Sequence, residues 1–75
     1  MDMLIEEMAE LTQAILKARR AGLTFTPKVC AEFADVTICM EQVEHQMRAS
    51  GIWEAVVDEK ITKLRRLLGR LRGTQ

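Results

Sequence analysis

The chain has 75 residues, enough for a single small domain. Its eleven basic and eleven acidic residues balance, which argues against a dedicated nucleic-acid binder because such proteins usually carry a basic excess. Hydrophobic residues make up 48% of the chain and charged residues 29%, a composition typical of a folded rather than a disordered chain. So short a chain has a marginal core, which disulfides, a metal or oligomerisation would have to support.

A signal peptide, a membrane span and an internal disulfide are not predicted. Asp2, Glu6 and Glu7 interrupt any apolar run at the start, and no apolar segment approaches the roughly 20 residues that span a bilayer. Cys30 and Cys39 fall in one predicted helix, roughly 13 Å apart, which is too far for a disulfide. We therefore expect a cytoplasmic protein with no membrane partner.

Apolar periodicity predicts three helices, at about residues 2–21, 27–49 and 53–71. Gly22 is placed to end the first, and Ser50-Gly51 the second. Thr26-Pro27 reads as an N-cap followed by proline at the first helical position. The stripes are Leu4, Met8, Leu11 and Ile15; then Val29, Phe33, Val36, Met40, Val43 and Met47; then Val57, Ile61, Leu64, Leu68 and Leu71. We predict one all-α domain over residues 1–75, an antiparallel bundle of three helices whose core is completed by oligomerisation.

Two acidic pairs stand within the apolar patterns of the first two helices. Glu7 and Glu10 are three residues apart, as are Glu32 and Asp35, and residues three apart are neighbours on one helix surface. Two such pairs could place four carboxylates around one point, where they repel each other unless a cation lies between them. Oxygen-only ligation of this kind suits Mg²⁺ or Mn²⁺.

The spacing also predicts that the two pairs share one edge of the contact between these helices. On a helical wheel of about 100° per residue, each acidic pair lies at nearly the same angle, and in the same direction, from the centre of the apolar stripe of its own helix. In antiparallel neighbours joined by a short connection, equal offsets fall on the same flank. The axial levels differ by roughly 10 Å, which five extended residues can span. None of the four acids has a basic residue four positions later, so we expect no intrahelical ion pairs there; a solvated helix face is the alternative interpretation.

The same motifs carry a resemblance to a known family. They are Glu6-Glu7-Met8-Ala9-Glu10-Leu11, Glu32-Phe33-Ala34-Asp35-Val36, Gln42 and Lys60-Ile61-Thr62-Lys63-Leu64. Together they resemble the all-α nucleoside triphosphate pyrophosphohydrolases, particularly the small phage-type members of the MazG-like group. That family's pattern is EExxE, a gap, ExxD, and a later helix with a lysine and a second basic residue one turn on. The resemblance covers nearly all of the chain.

The resemblance implies hydrolysis of a nucleoside triphosphate to a monophosphate and pyrophosphate, with Mg²⁺ as cofactor. It implies the following roles: Glu7, Glu10, Glu32 and Asp35 as metal ligands; Glu6 as a catalytic carboxylate that orients water or helps to hold a further metal ion; and Lys60 and Lys63 as catalytic and phosphate-contacting residues. We predict Arg66, on the same basic helix, as a further substrate contact. Family members normally have a helix before EExxE, whereas five residues precede Glu6 here. Either the chain is a minimal or truncated member of such a family, or a neighbouring subunit completes the pocket. A homodimer or a dimer of dimers is expected independently, because the chain is short and the broad apolar stripes of three helices cannot all be covered in one small bundle.

Two other functions are compatible with the sequence. A non-enzymatic helical dimerisation or interaction module, including a catalytically dead relative of the hydrolases, needs only the apolar stripes. A nucleic-acid binder could use the basic third helix for phosphate contacts, although the zero net charge makes this the weakest of the three hypotheses.

Overall fold

The computed structural model describes residues 1–73 and contains three α-helices. Helix α1 spans Asp2–Arg20, α2 spans Pro27–Ala49 and α3 spans Trp53–Gly73. Each helix end lies within two residues of its predicted position. No strand occurs among the described residues, so the predicted all-α class is confirmed. Within that same part of the chain, no helix is long and apolar enough to cross a bilayer.

Glycines in the left-handed region end the first two helices. Gly22 has φ 73° and Gly51 has φ 77°, a conformation that residues with a Cβ rarely adopt. The Leu23 N–H donates to the Ala18 carbonyl at 2.8 Å, and the Gly22 N–H donates to the Arg19 carbonyl at 3.0 Å. This is the Schellman pattern, which satisfies carbonyls that would otherwise be left unpaired at a helix end. The equivalent pair of bonds follows α2.

The start of α2 has the predicted side-chain cap. Thr26 Oγ1 accepts a hydrogen bond from the Val29 N–H at 3.1 Å, and Pro27 is the first helical residue. Proline lacks an N–H, and at this position that group would have no partner within the helix. The cap therefore fixes where α2 begins, and with it the position of every α2 side chain relative to the connection.

The chain divides into two compact units, the first being Met1–Glu44 and the second beginning at His45. In the first unit α1 and most of α2 pack against each other. Ala14, Ala18 and Val29 form a buried cluster, with Leu11 partly buried against it. Because late residues of α1 meet early residues of α2, while Glu7 meets Asp35 further along, the two helices run antiparallel. We call this contact the α1–α2 seam.

The seam lies to one side of the predicted stripes. Val29 and Val36 of the predicted α2 stripe are buried, but three other stripe residues, Met8 on α1 and Phe33 and Met40 on α2, are exposed. Small residues lie in their place, with Ala14 and Cys39 both buried. On both helices the buried face is rotated by about 40–50° toward the acidic pairs. Small side chains let two helix backbones approach closely, which explains the rotation in a contact between only two helices.

The second unit contains the end of α2 and all of α3. The Arg48 guanidinium lies 4.9 Å from the centre of the Trp53 ring, which is within the range of a cation–π interaction. This contact anchors the start of α3. Val56 and Val57 are half-buried, and no described residue of α3 is buried. Apolar residues along α3 therefore remain largely exposed in the single chain.

Candidate metal centre

Three carboxylates converge at the α1–α2 seam. One oxygen from each of Glu7, Glu32 and Asp35 lies within 4.8 Å of the other two. Glu32 is 5% exposed, Glu7 is half-buried and Asp35 is exposed. The cluster therefore extends from the interior of the seam to solvent, and an ion or a ligand could reach it from the Asp35 side.

The fourth predicted ligand, Glu10, lies beside this cluster rather than within it. The pKa of Glu7 is raised from its ordinary value of 4.5, first by partial burial and then by repulsion from Glu10, Asp35 and Glu32. A hydrogen bond with Glu10 also favours the protonated form of Glu7 and raises its pKa further. These effects on the Glu7 pKa place all four carboxyl groups close enough to interact.

Lys28 supplies a positive charge to the cluster and was not among the residues predicted for the site. Its Nζ lies 2.6 Å from Glu32 Oε1, in an intrahelical pair four residues apart. The expectation that none of these acids has an intrahelical ion pair was therefore wrong, because only the residues after each acid were considered. The pKa of Lys28 is raised by its hydrogen bond and attraction to Glu32, with smaller contributions from Glu10 and Asp35, while burial opposes the shift. The Lys28 side chain itself is 72% exposed.

The other oxygen of Glu32 indicates that the cluster fits a cation. Glu32 Oε2 is buried and has no hydrogen-bond partner among the described residues. A buried carboxylate oxygen without a partner is destabilising, since it has lost water and gained nothing in exchange. A hard divalent cation would satisfy it, and a set made only of carboxylate oxygens suits Mg²⁺ or Mn²⁺.

The remaining predicted site residues are exposed. Glu6 lies on α1 beside Glu7, whereas the predicted phosphate-contacting residues Lys60, Lys63 and Arg66 lie on α3 in the second unit. Lys60 and Lys63 line an apolar groove of about 890 Å³ together with Leu64. Lys63 and Arg66 also line a second, basic surface together with Arg70. Their action on a substrate held at the α1–α2 seam stays a prediction.

No protein-family model, curated protein or solved structure matches this chain. A function for this chain is therefore inferred from the geometry of its own residues and from the resemblance of its motifs.

Proposed function

We propose that the carboxylates of Glu7, Glu32 and Asp35 bind a divalent cation, Mg²⁺ or Mn²⁺, with Glu10 beside them. We further propose that the chain is a Mg²⁺-dependent nucleoside triphosphate pyrophosphohydrolase. The observation that carries the proposal is the unpartnered, buried Oε2 of Glu32 in a group of three converging carboxylates. Burying that oxygen is costly for the fold alone and is explained if a cation is bound there.

In the proposed reaction, one water is consumed and the anhydride bond between the α- and β-phosphates breaks, giving a nucleoside monophosphate and pyrophosphate. When bound, the metal ion neutralises phosphate charge and makes water a better nucleophile at neutral pH. Glu6 and Glu10 are exposed carboxylates next to the cluster, and either can accept the proton that the water loses. Lys60, Lys63 and Arg66 would offset charge on the leaving pyrophosphate.

The proposal includes an assembly. A three-helix antiparallel arrangement with a core completed by a homodimer or a dimer of dimers would cover the exposed apolar residues of α3, and a neighbouring subunit could enclose the nucleotide. Because nucleoside triphosphates are its proposed substrates, the cytoplasm is the proposed location.

The test is pyrophosphate release from a panel of ribo- and deoxyribonucleoside triphosphates, measured with Mg²⁺ and with EDTA. We expect turnover of at least one nucleotide, abolished by EDTA and reduced at least about 100-fold in Asp35→Asn. Glu41→Gln is the matched control, because Glu41 is an exposed acid on the same helix outside the cluster. Absence of turnover across the whole panel, with Mg²⁺ still raising the melting temperature, would reduce the proposal to a metal-binding module.

The exposed apolar residues of α3 favour a second candidate, a non-enzymatic helical interaction module. In that case Mg²⁺ has no effect on melting, and Glu10→Ala is neutral or stabilising because it removes a repulsion. Under the hydrolase proposal, Glu10→Ala weakens the Mg²⁺ effect. Melting of this one variant with and without Mg²⁺ therefore tests whether the acids form a cation site, and the nucleotide panel tests hydrolysis.

A further inference from the structure

Charge is strongly separated between the two ends of the chain. Residues 2–10 contain four acids and no basic residue, whereas residues 60–72 contain six basic residues and no acid. The first segment lies in α1 and the second in α3. The zero net charge of the whole chain hides two regions that attract each other and repel their own kind.

The acidic half of α1 carries an exposed apolar stripe that the α1–α2 seam does not use. Met1, the N-cap residue, and Ile5 and Met8 recur at intervals of four and three residues and are 51–74% exposed. Asp2 and Glu6 follow one flank of this stripe on a helical wheel. A stripe with this spacing and a charged flank is typical of a helix that packs against another helix.

The basic part of α3 carries a second stripe of the same kind. Ile61, Leu64 and Leu68 recur at intervals of three and four residues and are 42–54% exposed. Arg65 and Arg72 follow the corresponding flank on the wheel. When two helices with such stripes pack antiparallel, the same flank of each meets on one side of the contact. If Ile61, Leu64 and Leu68 face Met8, Ile5 and Met1, Arg65 lies level with Asp2 and Glu6, and Arg72 lies toward the start of the acidic helix.

We propose that a second copy of this chain covers both stripes, with α1 of each copy packed against α3 of the other. In a two-fold dimer this contact occurs twice, so four stripes are covered by two equivalent interfaces. The opposite charges favour this pairing over its alternatives, because α3 against α3 or α1 against α1 would bring like charges together. This inference deepens the proposed function by naming the faces that associate: it rests on the dimer proposed there and not on nucleotide hydrolysis.

A charge-exchange experiment tests the pairing. One variant carries Asp2→Lys and Glu6→Lys, which leaves it with basic residues on both stripes. The other carries Arg65→Glu and Arg72→Glu, which leaves it with acidic residues on both. We expect the wild type to sediment at twice its 8.5 kDa mass, each variant alone to sediment as a monomer at the same concentration, and an equimolar mixture of the two to recover the dimer.

The mixture makes the result specific. Its recovery requires contact between different chains and shows that both variants fold; helicity by circular dichroism checks each variant alone. Glu41→Lys, a reversal on α2 outside both stripes, should leave the dimer intact. A mixture that stays monomeric while the wild type is dimeric would overturn the proposal, as would variants that dimerise alone. A wild type that stays monomeric would also overturn it, and binding of that monomer to phosphatidylserine vesicles would assign the α3 stripe to a membrane surface instead.

Discussion

Substitution of Glu32 by glutamine tests the cation site with little change in shape. In the metal-free chain the three carboxylates and the Lys28 ammonium sum to a charge of −2, and Glu32→Gln reduces this to −1. Glutamine also replaces the unpartnered buried oxygen with an amide. We expect metal-free Glu32→Gln to melt at the same temperature as the wild type or higher. The repulsion with Glu7 and Asp35 is gone, and this offsets the loss of the ion pair with Lys28, since a pair with so exposed a lysine contributes little.

The effect of Mg²⁺ should change in the opposite direction. A ligand present at 100 times its Kd stabilises the folded state by about 2.7 kcal/mol, and in a domain of this size each kcal/mol raises the Tm by about 4–8 °C. If loss of the Glu32 carboxylate weakens binding 10- to 100-fold, the same Mg²⁺ concentration stabilises by only about 1.4 to about 0.4 kcal/mol. The increase in Tm should therefore fall to about half of the wild-type value or less.

The assay is thermal melting monitored by circular dichroism in EDTA and in a Mg²⁺ titration. Glu41→Gln is again the matched control and should keep the full Mg²⁺ effect. Equal Mg²⁺-induced increases in the Tm of Glu32→Gln and of the wild type would refute the reasoning, since the buried carboxylate would then have no part in binding.

Three further substitutions probe the same unit. Lys28→Met should enlarge the Mg²⁺-induced increase in Tm, because the ammonium no longer competes for Glu32; Lys17→Met, which removes an exposed cation from α1, should leave that increase unchanged. Thr26→Ala should destabilise the chain in urea by about 1 kcal/mol through loss of the N-cap bond to Val29, and Thr26→Ser should restore it. The raised pKa of Glu7 makes the metal-free fold lose stability as pH rises through that pKa, since the folded state binds this proton more tightly than the unfolded chain. Glu7→Gln should therefore flatten the dependence of Tm on pH from about pH 4 upward in EDTA.

The helices and their ends could be predicted because their signals are local. Thr26-Pro27 determines the start of α2 through one hydrogen bond and one missing donor. Gly22 and Gly51 end helices because they adopt positive φ at low cost. Each of these signals acts within a few residues and does not depend on what the helix later packs against.

The convergence of the acids could be predicted only in part. The helical-wheel positions predicted both acidic pairs on one edge of the contact between the first two helices, and Glu7, Glu32 and Asp35 do meet there. The axial level was left open because it depends on the path of the connection, and the structure brings Glu7 level with the α2 acids. Whether a metal ion binds there stays a prediction.

The rotation of the buried face and the burial of Glu32 could not be predicted from periodicity. The predicted stripes were drawn through the large apolar side chains, and they therefore included Met8 and Phe33, which are exposed. A seam between only two helices is decided instead by how closely the backbones can approach, and this favours alanine. Rotation toward the alanines also turns Glu32 inward. Glu32 was predicted at the edge of the contact, and its exposed fraction in the structure is only 5%.

This link between packing and site predicts the effect of a substitution that touches no acid. Ala14 is buried in the seam, and leucine in its place overfills the contact, at a cost of about 1–3 kcal/mol. Relief of that strain separates the two helices and moves the α1 carboxylates away from those of α2. We therefore expect Ala14→Leu to lower the metal-free Tm and also to reduce the Mg²⁺-induced increase. Ala9→Leu, the same change at an exposed position of α1, should do neither; an unchanged Mg²⁺ effect in a destabilised Ala14→Leu would show that the cation site does not depend on the width of the seam.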